Sequence, residues 1–202
     1  MMPMKESPMK TPLRPAAFGA ALFLLASAAS GLMIKVPLAA LTTGAETIVL
    51  GRVAEVRSSW SLDNSLIVTL TTIEIQESMK GRLSSRRLVV QTEGGQVGDL
   101  SLSVSDEPVF AVGETVLLFL KPLPARFSGA NSVLVLTSPD PVFRMLEKAQ
   151  GKYSVDADGQ ARKTGYRLID ADGSDETSLP LTTLQQRITS LVRGSSRARR
   201  TP

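Results

Sequence analysis

Thr47 to Gly81 reads TIVLGRVAEVRSSWSLDNSLIVTLTTIEIQESMKG, and this stretch decides the fold. Ile48, Val49 and Leu50 form a continuous apolar run, the pattern of a strand buried on both faces. From Ala54 the pattern alternates, with Ala54 and Val56 on one face and Glu55 and Arg57 on the other. Gly51 stands near the change of pattern, where a bulge or a close strand crossing suits a residue without Cβ. Ser61 to Ser65 is turn-rich and polar, and LIVTLTTIEIQ after it is dense in β-branched residues. The stretch therefore predicts a long β-hairpin. Strands of this length coil, so one strand can serve both halves of a closed barrel and remove exposed edges.

Composition narrows the chemistry. The chain has 202 residues, the size of one domain with appendages. Hydrophobic residues make up 43% and aromatics only 4%, so the expected core is aliphatic, with Trp60, Phe110 and Phe119 as its large fillers. Cysteine is absent, which excludes disulfides, thiolate metal sites and cysteine nucleophiles. Histidine is absent too, removing the commonest general base and metal ligand at neutral pH. The formal charge of +4 belongs to the ends: Lys5, Lys10 and Arg14 at one, Arg193, Arg197, Arg199 and Arg200 at the other. The body between them is close to neutral, a poor surface for nucleic acid, and no nucleic-acid partner is expected.

Residues 1–30 have the plan of a secretory signal peptide. The three cations precede the apolar run AAFGAALFLLA, and Ala26-Ser27-Ala28 predicts cleavage after Ala28. The competing reading is a retained anchor, since Ala16 to Ile34 is 19 residues without a charge. Secretion or periplasmic residence follows from cleavage, with membrane contact only through the segment if it is kept. Residues 38–192 then form a single β-barrel domain. Leu38 to Glu46 predicts a short N-terminal helix, followed by the hairpin and a third strand in RRLVVQTE. EGGQVG (93–98) reads as a glycine-rich loop. LSLSVS alternates, which places Leu100, Leu102 and Val104 inward. TVLLFLK is apolar on both faces and should be the most buried strand; SVLVL (132–136) is a further strand. SPDPVFRMLEKAQ reads either as a short helix or as a loop running into a strand. Asp158-Gly159 turns another hairpin. From Thr182 the period becomes helical, with Leu184, Ile188 and Leu191 in one stripe, a capping box at Thr182 and Gln185, and a stop at Gly194. Residues 193–202 are a disordered basic tail.

Chemistry-bearing candidates are few. DADG occurs at 156–159 and again at 170–173. In the second copy Asp170, Asp172, Asp175 and Glu176 gather four carboxylates around a glycine, a weak calcium candidate without the full spacing of an EF-hand. No other cofactor is expected. EGGQVGD lacks the following helix of a phosphate cradle. Ser78 and Lys80 share a strand face, the Ser/Lys pairing still open to a chain without histidine. Neither stands in an apolar setting that would lower a lysine pKa.

Ala45–Val53 (AETIVLGRV), Met79–Gly81 (MKG), Gly113–Leu120 (GETVLLFL) and Gln150-Gly151-Lys152-Tyr153 together resemble a group of exported bacterial proteins of unassigned function. The opening is also similar, more distantly, to the OB-fold barrel of netrin-like modules and tissue inhibitors of metalloproteinases. Those inhibitors hold the protease zinc through a mature N-terminal cysteine. This chain has none, so that mechanism does not carry over. The expected fold is mainly all-β: a small closed or partly closed OB-like barrel with a short N-terminal helix and a C-terminal amphipathic helix. The expected role is a non-catalytic exported module binding a protein or cell-envelope partner. The alternatives are inhibition of a secreted protease or metalloprotease, and a carboxylate-based hydrolase.

Overall fold

The computed structural model describes residues 32–61, 64–123, 140–164, 167–169 and 178–198. Strands account for 48% and helices for 20%, which makes the fold mainly β. The predicted hairpin is its longest feature. β2 (Thr47–Trp60) and β3 (Ile67–Lys80) pair antiparallel from Ile48 opposite Lys80 to Trp60 opposite Ile67. Ser61 closes the turn: its N–H donates to the Leu66 carbonyl at 2.7 Å and its Oγ accepts the Leu66 N–H at 3.0 Å. The register slips between Ile48 and Val49, Leu50 and Gly51, and Val53 and Glu55. Each slip bends and twists the ribbon, which is how so long a pair wraps around a core. Gly51 is required at the second slip, because a Cβ there would stand 2.6 Å from Glu74 O and Ile73 Cγ2.

β4 (Arg87–Glu93) extends the hairpin beside β3, and β7 (Thr115–Pro122) pairs with the other side of β2. β8 (Val142–Met145) joins the two ends, parallel to β4 and antiparallel to β7. Five strands thus form a ring in the order β2-β3-β4-β8-β7. From β7 the sheet branches outward through β9 (Lys152–Val155) and β10 (Gln160–Arg162) to β12 (Ser178–Pro180). β5 (Gly95–Val97) and β6 (Leu100–Leu102) make a small separate hairpin. β1 (Leu32–Ile34) and β11 (Arg167–Ile169) form a parallel pair. The helices are α1 (Leu38–Gly44) and α2 (Leu181–Ala198). Among the described residues, no helix is long and apolar enough to cross a membrane.

The unbroken apolar runs are explained by two cores on opposite faces of one sheet. Val49, Val53, Ile73, Leu88, Val90, Val116, Leu118, Leu120, Phe143 and Met145, from all five ring strands, pack together with Phe110. Ile48, Leu50, Leu117 and Phe119 point the other way, against Leu38, Leu41, Tyr153, Leu184 and Ile188. Val116 through Leu120 are therefore all 0% exposed, as a strand with two dry faces must be. Each such side chain contributes about 1.5–3 kcal/mol on burial.

The short motifs turn out to be joints of this frame. Lys80, at the end of β3, donates from Nζ to the Thr42 carbonyl at 2.6 Å and the Thr43 carbonyl at 3.1 Å, neutralising the C-terminal end of α1. Gln150 Oε1 accepts the Val36 N–H at 2.7 Å just before that helix. Tyr153 is fully buried against Phe119, ring centroids 6.3 Å apart.

Several expectations shift. The LSLSVS strand is only Leu100–Leu102, and Leu100 is 59% exposed rather than inward, because β6 pairs with β5 outside the main sheet. SPDPVFRMLEKAQ resolves into β8 and a 3₁₀ turn at Lys148–Gly151, which a Pro-rich start favours over a helix. α2 begins at Leu181, so Thr182 is already helical and caps nothing in the manner of a capping box. The helix also passes through Gly194 to Ala198, so residues 193–198, given to the tail by the sequence reading, belong to it. A lone glycine costs a helix only about 1 kcal/mol, too little to end one already docked by Leu184 and Ile188. Residues 1–30 and the SVLVL strand lie outside the described residues.

Candidate functional site

The carboxylates proposed for calcium, Asp170, Asp172, Asp175 and Glu176, lie outside the described residues. The first DADG is a hairpin turn. Asp156 Oδ1 accepts the Asp158 and Gln160 N–H groups at 3.1 and 2.9 Å, its Oδ2 accepts Arg162 Nε at 2.9 Å, and Gly159 takes φ +73°. The Arg162 hydrogen bond, chiefly, holds the Asp156 carboxyl below its usual range. Ser78 and Lys80 do not make a nucleophile and base: the lysine ammonium is on the α1 carbonyls, and Ser78 Oγ faces the Lys80 and Gly81 carbonyls at 3.4 Å. Trp60 ends β2, half-buried.

The side chains that do converge lie between the β2–β3 ribbon and the segment from Gly94 to Phe110. They line a groove of about 330 Å³. Its floor is set by the paired glycines. Gly94 has φ +92° and Gly95 φ +130°, and Gly95 lies so flat on the ribbon that a Cβ would run into Ser58 Oγ and Thr69 Oγ1. Close backbone approach, together with positive φ, is what glycine alone permits. Thr69 Oγ1 donates to the Gly94 carbonyl at 2.7 Å. A hydroxyl has one proton, so in the 2.9 Å contact between Ser58 Oγ and Thr69 Oγ1 the serine must be the donor. Ser58 is then left with acceptor lone pairs. The stretch read as a glycine-rich loop is partly strand: Glu93 ends β4, and Gly95–Val97 is β5, paired with β6.

Glu93 and Glu107 line the same groove with Val56, Leu102, Val104, Pro108, Val109 and Phe110. Burial pushes the Glu107 carboxyl up; Lys148 Nζ, 3.9 Å away, and a hydrogen bond from the Glu93 backbone oppose this, while the charges of Glu93 and Asp106 push the same way. The sequence signal for Glu107 is slight but real. It stands directly before Pro108-Val109-Phe110, and the burial of Pro108 and Phe110 takes the carboxylate partly with it.

Behind the groove a buried ion pair fixes the segment. Lys152 Nζ is 2.8 Å from Glu114 Oε1, donates to the Val109 carbonyl at 2.5 Å and lies 4.7 Å from the centre of the Phe110 ring. Glu114 also accepts Ser154 Oγ at 2.6 Å and the Ala111 N–H at 3.1 Å. Burial alone would push the Glu114 carboxyl up, but the hydrogen bonds from Lys152 and Ser154 carry it below its usual range. Residues 109–114 are thus held from beneath. Their outer side is apolar and wet: Val109 is 84% and Val112 68% exposed, and these two with Leu100 are the exposed large hydrophobic residues among the described ones. No protein-family model matches the chain, and no curated protein matches it.

Proposed function

We propose that the protein is an exported binding module on an OB-like β-barrel, and that the groove with its apolar rim seats a protein partner. Strand order supports the barrel. Numbering the ring strands one to five along the chain, the first pairs with the second and fourth, and the third lies parallel to the fifth, the Greek-key closure of that barrel. The signal-like residues 1–30 support export. The observation that carries the binding role is the pairing of rigidity with exposure: Val109 and Val112 project from a segment pinned by Lys152 and Glu114. An ordered apolar surface loses little entropy on association and gains desolvation.

The test is a photo-crosslinkable residue placed at Val109 in cells, with and without Val112→Asp. A discrete adduct that disappears with Val112→Asp, while the same probe at exposed Gln76 gives none, supports the module. Equal labelling from both positions, or none from either, counts against it.

A second reading, a carboxylate-based hydrolase, is favoured by one observation: Glu93 and Glu107 line one groove and Glu107 is pushed toward the protonated form. Turnover of a chromogenic glycoside or ester panel, abolished in Glu107→Gln, would establish it; no turnover with the intact chain would remove it.

A further inference from the structure

Resting on the binding-module reading, we propose that the groove receives a lysine or arginine side chain carried by an extended, apolar peptide segment of the partner. The argument is charge and donor complementarity. Glu93 and Glu107 supply carboxylates, and Ser58, having given its proton to Thr69, supplies lone pairs. Ser101 and Ser103 accept or donate as the ligand requires. No lysine or arginine lines the groove among the described residues. A ligand that brings positively charged donors is therefore matched best, and an anion or a phosphate would meet the like charge of Glu93 and Glu107 with no cation to offset it.

The protein's own cation marks the place. Lys148 Nζ stands 3.9 Å from Glu107 Oε1, at the outer limit of an ion pair, with its side chain 47% exposed and its Nζ shared with the Ser105 carbonyl at 3.3 Å. An incoming ammonium or guanidinium can approach the Glu107 carboxylate more closely and desolvate it further. The aliphatic stem of that side chain, and its neighbours, have Val56, Leu102, Val104, Val109 and Phe110 to cover.

The experiment is an amide NMR titration of the 202-residue chain with end-blocked pentapeptides of the pattern valine-X-valine-X-valine. X is lysine, norleucine or glutamate, and maltotriose is the carbohydrate arm. The lysine peptide is expected to move the Gly94, Gly95 and Glu107 amides and to bind roughly tenfold tighter than the norleucine peptide, the effect of one charge-assisted contact. Glu107→Gln should remove that margin. Lys148→Met, which deletes the resident competitor, should widen it, a gain that misfolding cannot imitate. Equal binding of norleucine and lysine peptides overturns the basic specificity yet leaves an apolar docking groove and the module reading intact. Preference for the glutamate peptide or for maltotriose overturns the proposal outright. So does silence from every probe, and the crosslinking at Val109 then decides the module reading separately.

Discussion

Lys152 Nζ sits 2.8 Å from Glu114 Oε1 with only 7% of the lysine side chain exposed. Removing one partner leaves the other charge buried and unpaired, and the two deletions are unequal. Glu114→Ala strands an ammonium whose remaining contacts are the Val109 carbonyl and the Phe110 face. It should cost about 3–5 kcal/mol. Lys152→Met leaves a carboxylate still bonded to Ser154 and Ala111, and should cost less. Urea unfolding of both variants checks the order; the reverse order would mean the pair does not hold the segment as described.

The same carboxylate makes stability fall in acid. Its folded pKa lies below its unfolded one, so its contribution is present above the ordinary carboxylate range and is lost as pH drops through the folded value. Glu114→Gln should therefore be less stable than the parent near neutrality, with the gap closing on acidification. A gap that widens in acid would show that some other group governs the acid limb.

Lys80 tests a weaker contact. Its ammonium faces the last carbonyls of α1, where a cation is worth about 0.3–1 kcal/mol. Lys80→Met should lower stability by that much and speed hydrogen exchange at the Ala45 amide, which closes the helix on the Leu41 carbonyl. Unchanged exchange at Ala45 would mean the helix end does not depend on the lysine.

The hairpin was legible because period-two alternation and β-branched density are local signals, and Gly51 announced its own bulge. Closure was expected from the strand length, but the strand that makes it was left open between helix and strand, because β8 is four residues, Val142–Met145, and its partners lie far away in the chain. Burial of Phe110 and Phe119 followed from composition, whereas the burial of Tyr153 did not, since nothing in GKYSV distinguishes an inward tyrosine from a rim one. The groove was hidden for a different reason. Glu93 and Glu107 are fourteen positions apart, and only the turn at Gly94-Gly95 brings their segments onto one ribbon. Leu100 misled the reading because alternation reports a two-faced strand without saying which face is wet.

Two glycines separate close approach from backbone conformation. At Gly51 a Cβ would meet Glu74 O and Ile73 Cγ2 at 2.6 Å, within the central strand pair. Gly51→Ala should destabilise by about 1–3 kcal/mol, the range of core overpacking. Gly98 has φ +58° and open space around it, so Gly98→Ala should cost only the left-handed strain, about 1–2 kcal/mol, and leave β2 and β3 unmoved. Amide shifts of Arg52, Val53, Ile73 and Glu74 distinguish the two: both variants disturbing them alike would contradict the placement of Gly51 at the crossing.

Glu107 sets two opposite pH dependences. Burial raises its folded pKa above the unfolded one, so it favours the fold most below the unfolded value and loses that contribution as pH rises through the folded value. Lys148 and the hydrogen bond from the Glu93 backbone oppose the rise, and the charges of Glu93 and Asp106 add to it. Binding of a cationic side chain has the contrary sign, because only the ionised carboxylate attracts it. The lysine pentapeptide should bind more weakly at about pH 4.5 than at about pH 7, across the range where a raised carboxyl titrates. The norleucine peptide should not change. In Glu107→Gln the lysine peptide should lose most of its pH dependence. If Glu107→Gln binds the lysine peptide with the parent's full pH dependence, the cation is being held elsewhere, and the groove is not its seat.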